Sequence, residues 1–329
     1  MFYSIIVPVF NRPEEVDELL NSLSLQTYKQ FEVLIIEDGS KRRCDNIVEK
    51  YTDQLDIKYY LKKNSGPGST RNYGAERSNG EYLIIIDSDC ILPRSYLSVI
   101  DEFLKKNPID AFGGPDCAHS SFTRIQKAIN YSMTSFFTTG GIRGGKKQMD
   151  KFYPRSFNMG IKKSVYLTLG GFSSIRFGED IDFSIRIYKN GYTCQYIPEA
   201  WVYHKRRTNL KRFFKQVHNS GIARINLYKR YPESLKLVHT LPAIFTIFCT
   251  LFLLGSIFYP WAITPLLLYS LLVFIDSSIK NRSLQIGVYS IAAAFIQLIG
   301  YGTGFLQAWW LRCVCKKKEY AAFEDSFYK

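Results

Sequence analysis

Residues 82–89 read Tyr82-Leu83-Ile84-Ile85-Ile86-Asp87-Ser88-Asp89, an apolar run that ends in two carboxylates one residue apart. The run is too short to cross a membrane. Read as a buried strand, it delivers both acids to its C-terminal edge, where parallel α/β sheets place their ligands. A carboxylate pair there suits a hard divalent cation, and such a cation can hold a diphosphate. A polar turn after a core strand is the plainer alternative. Other acids fall at the ends of apolar stretches or in loops: Asp38, Asp116 and Gly178-Glu179-Asp180. His204 closes a further apolar stretch.

Transfer from a nucleotide diphosphate needs more than a metal pair. It needs contacts to base and ribose, a sink for the leaving charge, and a general base for the acceptor hydroxyl. Asp38 suits a pyrimidine or ribose contact. Asp180 suits the general base, with helix capping as the competing reading. His204 suits a metal or diphosphate contact, with a packed, hydrogen-bonded histidine as its competitor.

The elements that must position these groups alternate in the first third. Ser4-Ile5-Ile6-Val7-Pro8-Val9 predicts a buried strand. Asn11 is expected to cap the next helix, with Glu14 as its capping-box partner. Val16, Leu19, Leu20 and Leu23 mark one apolar helical face. Further strands are expected over 31–36 and 57–61, and helices over 45–51 and 69–78. This spacing implies right-handed crossovers and a parallel sheet. The middle third is less regular. A strand is expected over 111–116, an extended segment over 158–161 and a short helix over 163–169 stopped by Gly170-Gly171. A helix over 180–190 and a strand over 195–203, interrupted by Pro198, complete it.

The chain has 329 residues, a formal charge of +14, 46% hydrophobic and 16% aromatic residues, so it is no disordered basic tail. Its partners could be nucleic acid, a membrane face or a phosphorylated substrate. The cysteines at 44, 90, 117, 194, 249, 313 and 315 show no paired zinc spacing and suggest reduced thiols in a cytosolic compartment. No secretory leader is expected at the N-terminus. From Lys205 to Lys236 cations are interleaved with Phe213, Phe214, Leu227 and Tyr228, which reads as amphipathic helices on an anionic membrane face or as a solvated basic pair. Three stretches, 241–258, 262–275 and 284–311, are nearly free of charge and flanked by Tyr259, Trp261, Trp309 and Trp310. They are expected to cross a membrane. Three crossings would leave Lys316-Lys317-Lys318 outside, against the positive-inside tendency, unless the last segment folds back near Gly300–Gly304. The expected organisation is a catalytic part over 1–204, basic interfacial helices over 205–240, transmembrane segments over 241–311 and a basic tail over 312–329.

Ile5-Ile6-Val7-Pro8-Val9-Phe10-Asn11, Glu37-Asp38-Gly39-Ser40, Gly68-Ser69-Thr70-Arg71-Asn72, Asp87-Ser88-Asp89, Asn158-Met159, Gly170-Gly171-Phe172 and Gly178-Glu179-Asp180 follow in that order. Together they resemble a family 2 glycosyltransferase of the GT-A fold, over about residues 2–225. The resemblance implies an α/β fold with a mostly parallel sheet, and an inverting transferase that uses a nucleotide-diphosphate sugar and Mg²⁺ or Mn²⁺. It places Pro8 and Asn11 in the nucleotide pocket, Asp38 on the base, and Arg71 and Asn72 beside the donor. Asp87 would face ribose or sugar, Asp89 would ligate the metal, and His204 would reach metal or diphosphate. Asp180 would deprotonate the acceptor, with Glu179 adjacent. The Phe214–Gly221 stretch resembles an interfacial Gln-to-Gly motif of membrane-attached members. The Gln-x-x-Arg-Trp of processive synthases is missing, since Arg224 follows Gln216 by eight residues with no Trp after it.

The expected activity is therefore transfer to a lipid-linked or cell-surface glycan at the cytoplasmic membrane face, with membrane lipids as partners and no nucleic acid. A processive polysaccharide synthase and a non-catalytic sugar-nucleotide sensor or scaffold are the alternatives. Gly140-Gly141-Ile142-Arg143-Gly144-Gly145-Lys146-Lys147 fits a P-loop pattern except for its last position, where Lys replaces the metal-binding hydroxyl; it reads as a mobile loop near donor or acceptor.

Overall fold

A computed structural model describes residues 1–117, 122–139 and 152–328. The glycine- and lysine-rich loop over 140–147 lies outside the described residues. The elements begin with β1 (Tyr3–Val9), α1 (Pro13–Ser24), β2 (Phe31–Asp38), α2 (Asp45–Glu49), β3 (Asp56–Lys62), α3 (Pro67–Arg77), β4 (Tyr82–Ile86), β5 (Cys90–Ile91) and α4 (Tyr96–Lys106). There follow β6 (Ala111–Gly113), β7 (Asp116–Cys117), α5 (Arg124–Thr134), α6 (Phe136–Thr139), β8 (Asn158–Lys162), α7 (Lys163–Thr168), α8 (Glu179–Lys189), β9 (Cys194–Tyr196) and β10 (Val202–His204). The chain continues through α9 (Leu210–Arg230), α10 (Leu241–Gly255), α11 (Thr264–Asn281), α12 (Leu284–Trp309) and α13 (Glu319–Tyr328). Two compact units result, Met1–His119 with Asp150–Lys205, and Ser120–Met149 with Arg206–Lys329.

The first unit holds a seven-stranded sheet in the order β3-β2-β1-β4-β8-β6-β9. Only β8 runs against its neighbours, β4 and β6. The sheet is covered on both faces because successive side chains alternate. Ile5, Val7, Val33 and Ile35 join Leu19 and Leu20 of α1 and Leu97 and Ile100 of α4 in one cluster. Ile6, Leu83 and Ile85 join Ala75 of α3, Tyr166 of α7 and Phe183 and Ile187 of α8 in the other.

A second sheet, β5-β10-β7, was not expected. The single strand expected over 111–116 is split at Gly114-Pro115 into β6 and β7, one in each sheet. The strand expected over 195–203 divides likewise, because a turn closes where Ala200 N–H bonds the Ile197 carbonyl. The expected cap of α1 also differs. Asn11 takes a left-handed φ of 56° and turns its side chain away from the helix. Its Oδ1 accepts the backbone N–H groups of Lys41 (2.8 Å) and Arg42 (3.0 Å), and Glu14 pairs with Arg42 instead. Arg12 then stands at the N-cap with no side-chain cap bond.

In the second unit the basic stretch forms one 21-residue helix, α9, rather than a pair, and it lies along α12. The contact is backbone to backbone. A Cβ at Gly304 would sit 2.0 Å from the His218 carbonyl oxygen, and one at Gly221 would sit 2.2 Å from that of Tyr301. His218 completes the seam through Thr303 (3.2 Å) and Gln307 (3.0 Å). Gly304→Val should therefore destabilise this unit by about 2–3 kcal/mol through overpacking; thermal unfolding of the variant in detergent measures it.

Two of the described helices are long and apolar enough to cross a bilayer, Pro260–Asn281 with 22 residues and Leu284–Val314 with 31. The first of the three expected spans falls short. Helix α10 has 15 residues, about 22 Å against roughly 30 Å of hydrocarbon. It ends at Gly255, ahead of Pro260. The turn that follows leaves Ile257, Phe258 and Trp261 largely exposed.

Candidate active site

Parallel register gathers the first group of candidates. Strand β1 pairs on one side with β2, through Val9 and Glu37, and on the other with β4, through Ile6 and Ile85. Asp38 and Asp87 therefore emerge at the same sheet edge, flanking the end of β1 where Pro8 lies. They are two strand spacings apart, about 10 Å. Asp38 is buried and accepts bonds from Lys62 Nζ (2.6 Å), Ser65 N–H (2.9 Å) and Gly66 N–H (2.9 Å). It thereby fixes the loop that leads into α3.

Helix α3 brings Arg71 under the site. Its guanidinium donates to Asp87 Oδ1 (2.8 Å) and to Glu179 Oε1 (3.1 Å), and lies 5.2 Å from the Phe172 ring. Its Nε is buried without an acceptor. One buried cation thus ties the end of β4 to the start of α8. Asn72, the next residue, is consumed by bracing. Its Oδ1 accepts from Tyr166 OH and Phe172 N–H, and its Nδ2 donates to the Phe172 carbonyl. That holds the Gly170-Gly171-Phe172 turn behind Arg71 rather than presenting Asn72 to the site.

Gly178 adopts a left-handed φ of 84° and starts α8 at Glu179. That conformation favours glycine, and it leaves both acids in the first turn. The two carboxyls have opposite fates. Burial and the neighbouring Asp180 push the Glu179 carboxyl up to about 7, against the pull of Arg71. Burial would also raise Asp180, but Arg155 outweighs it, with help from the Ile181 N–H and Arg71, and holds Asp180 below the usual carboxylate range. Arg155 Nε donates to Asp180 Oδ2 at 2.5 Å. Its side chain is 37% exposed against 4% for Arg71, so Asp180 has the more solvent-accessible counter-ion of the two acids. Removing that cation disfavours the ionised carboxyl. In Arg155→Met the Asp180 carboxyl should titrate at higher pH than in the wild type, read from the pH dependence of its carboxyl resonance.

The second sheet explains His204. Cys90 of β5 pairs with His204 of β10, and Asp116 of β7 pairs with Val202. This puts His204 Nε2 3.2 Å from Asp89 Oδ1 and its Nδ1 3.9 Å from Asp116 Oδ2, with the ring stacked on Phe157 at 4.7 Å. Arg12 pairs with the other carboxylate oxygen of Asp89. Burial opposes ionisation of Asp89, but His204 and Arg12 outweigh it and hold the carboxyl far below its ordinary range.

The donor set fits a hard cation. Asp89 Oδ1 is buried and has no hydrogen-bond partner. Ligand atoms of Asp89, Cys90 and His204 lie within 4.8 Å of one another. Cys90 suits a hard cation poorly, because a soft thiolate favours ions such as Zn²⁺ while Mg²⁺ and Mn²⁺ favour oxygen. A carboxylate oxygen and an imidazole remain. Such a sparse set leaves positions for phosphate oxygens and water, as Mg²⁺ sites commonly do.

The described structure thus gathers Asp87 and Glu179 through Arg71, with Asp180 next to Glu179 and paired with Arg155, and Asp89 and His204 through the second sheet. Pro8 and Asp38 lie along the same edge as Asp87, and Asn11 locks the adjoining loop through Ser40, Lys41 and Arg42. Sequence reasoning missed Arg12, Arg155 and Phe157. Arg12 directly follows a motif asparagine and was legible as a neighbour. Nothing in the spacing around Arg155 or Phe157 marks them.

Residues 4–169 match the model of the family described as glycosyl transferase family 2, half of the chain. The chain belongs to glycosyltransferase family 2. Consistent with this, it is 31% identical over 220 residues to an uncharacterized glycosyltransferase of Haemophilus influenzae, covering 63% of this chain and 70% of that one. Among solved structures, the mannosyltransferase PcManGT of Pyrobaculum calidifontis, in complex with GDP-Man and Mn²⁺, aligns with a TM-score of 0.54 at 17% identity, over 90% of this chain and 86% of that one. Staphylococcus aureus TarS 1–349 in complex with UDP-GlcNAc aligns with a TM-score of 0.50 at 21% identity, over 69% and 67%. The fold is GT-A-like. The chain spans about a fifth of the length of the Rickettsia relatives that it also matches.

Proposed function

We propose that this family 2 member is an inverting glycosyltransferase that uses a nucleotide-diphosphate sugar with Mg²⁺ or Mn²⁺. The observation that carries the reading is the rim itself. The carboxylates of Asp87, Asp89, Glu179 and Asp180 are each met by an arginine or histidine, and one buried Asp89 oxygen lacks a hydrogen bond. A scaffold has no need of so many charges in one cleft, because pairing them is weak evidence of a gain in stability. The donor bound by TarS and the donor and Mn²⁺ bound by PcManGT support the same class of ligand.

On this reading Asp38 and Pro8 line the nucleotide end, Asp87 and Arg71 face ribose or sugar, and Asp89 and His204 hold the cation. The bound cation would neutralise part of the charge on the leaving diphosphate. Asp180 takes the proton of the acceptor hydroxyl once Arg155 has released it. The oxygen bonds to the anomeric carbon on the face opposite the diphosphate, the old carbon–oxygen bond breaks with its electron pair, and nucleoside diphosphate leaves.

Residues 1–204 are the catalytic part of this scheme, 205–240 the basic interfacial part, 241–311 the membrane-inserted part and 312–329 a basic tail. The exposed apolar turn at Ile257, Phe258 and Trp261 and the two long apolar helices support membrane attachment. The basic excess of α9 supports an anionic, cytoplasmic membrane face, and a lipid-linked or cell-surface glycan is the acceptor class proposed for a transferase attached there. The test is incubation of the full chain in detergent with UDP- and GDP-sugars and Mn²⁺. Release of nucleoside diphosphate from at least one donor is expected, and its loss with chelator. No release from any donor, with or without acceptor lipid extract, would remove the assignment.

A further inference from the structure

Arg12 has a position that the reaction scheme does not use. Its guanidinium closes on Asp89 Oδ2, while His204 Nε2 stands 3.2 Å from Oδ1 without completing a hydrogen bond, so Arg12 is the cation that closes on this carboxylate. Asp89 is 8% exposed. A buried carboxylate stripped of its counter-charge is strongly disfavoured, which explains why a cation of the protein's own stands there. A divalent ion cannot join Asp89 beside a guanidinium without like-charge repulsion. The backbone of Arg12 is pinned, because Asn11 is held by Ser40, Lys41 and Arg42 on one side and α1 begins on the other. Its side chain is one-third exposed and is the part that can move. The acids around it are Asp89, Glu15 and Asp87, so the nearest new anion it could gain is a diphosphate, which a guanidinium grips in bidentate fashion.

The geometry points to Arg12 as a placeholder for the cation: it neutralises Asp89 before a cation binds and passes to the nucleotide diphosphate when donor and metal arrive. This rests on the metal and donor assignment above. The consequence is thermodynamic. Metal alone must displace Arg12 from its carboxylate, whereas metal with nucleotide offers Arg12 another partner. Binding of the two ligands is therefore coupled, and the coupling is reciprocal.

The experiment measures Mn²⁺ affinity of the full chain in detergent, alone and with saturating UDP or GDP, together with nucleotide affinity with and without Mn²⁺. Wild type should bind Mn²⁺ at least tenfold more tightly with nucleotide than without. Arg12→Gln keeps a hydrogen-bond donor and loses the charge; it should bind Mn²⁺ alone several-fold more tightly and bind nucleotide more weakly, with the coupling reduced to within about threefold. Arg12→Lys keeps the charge and should retain most of the coupling. Unchanged Mn²⁺ affinity and coupling in Arg12→Gln would overturn the placeholder role and leave the metal site intact. Absence of any Mn²⁺ binding in wild type, even with nucleotide, would overturn it together with the assignment beneath it.

Discussion

Asp89→Asn is expected to abolish Mn²⁺-dependent donor turnover, with a loss of about a thousandfold or more, or about 4 kcal/mol of transition-state stabilisation. The expectation follows from how the residue is held. Among the described residues Asp89 is the rim acid with a buried oxygen that lacks a hydrogen bond, and that oxygen lies 3.2 Å from His204 Nε2. An amide keeps the shape and can still accept from Arg12 through its oxygen, but it is a poor ligand for a hard cation. The fold should survive, because the backbone around residue 89 is tied independently. Cys90 N–H bonds the Asp87 carbonyl, and Lys205 N–H bonds the Asp89 carbonyl. The measurement is therefore paired: Mn²⁺ binding and nucleoside diphosphate release should vanish, while the thermal transition of the variant stays within a few degrees of wild type. Undiminished release would remove Asp89 as the metal residue.

The sequence exposes the half of this site that comes from regular structure. Apolar runs that end in acids mark β2 and β4, and a glycine before two acids marks the start of α8. The convergence of β2 and β4 at one edge then follows from parallel pairing, and Arg71 ties the start of α8 to it. What it conceals comes from long-range partners. His204 reaches Asp89 only because two short strands, β5 and β10, pair in a second sheet, and strands of two or three residues carry no periodicity to read. Asn11 looks like a cap because its type and spacing fit one. Its left-handed backbone instead commits the side chain to the loop after β2, a choice made by tertiary contacts. In the second unit, composition reveals apolar length but not the partner. Gly300 and Gly304 of α12 serve close packing on a charged helix, α9, and the short α10 depends on where the chain turns rather than on how apolar it is.

The identity of the base is the sharper question, because proton affinity and accessibility point to different neighbours. Glu179, lifted to about 7, holds a proton more readily near neutrality than Asp180, which Arg155 keeps well ionised. On affinity alone Glu179 would be the better base. Its carboxylate, however, is bonded to Arg71, whose side chain is 4% exposed and which also holds Asp87. Freeing Glu179 would leave a buried guanidinium half-paired. Asp180 is bound instead by a cation that can withdraw toward solvent, and its proton affinity rises as Arg155 leaves. Asp180→Asn should thus spare donor and Mn²⁺ binding and lower the transfer rate by about a thousandfold or more, within the range for general-base removal. Glu179→Gln should retain turnover, with a modest loss through Arg71 and Asp87. With Asp180 as the proposed base, the acid limb of the wild-type profile is expected well below 7, because that carboxyl is the one with the depressed value. A limb near 7, together with persistent transfer in Asp180→Asn, would move the base to Glu179 and make Asp180 the residue that tunes it.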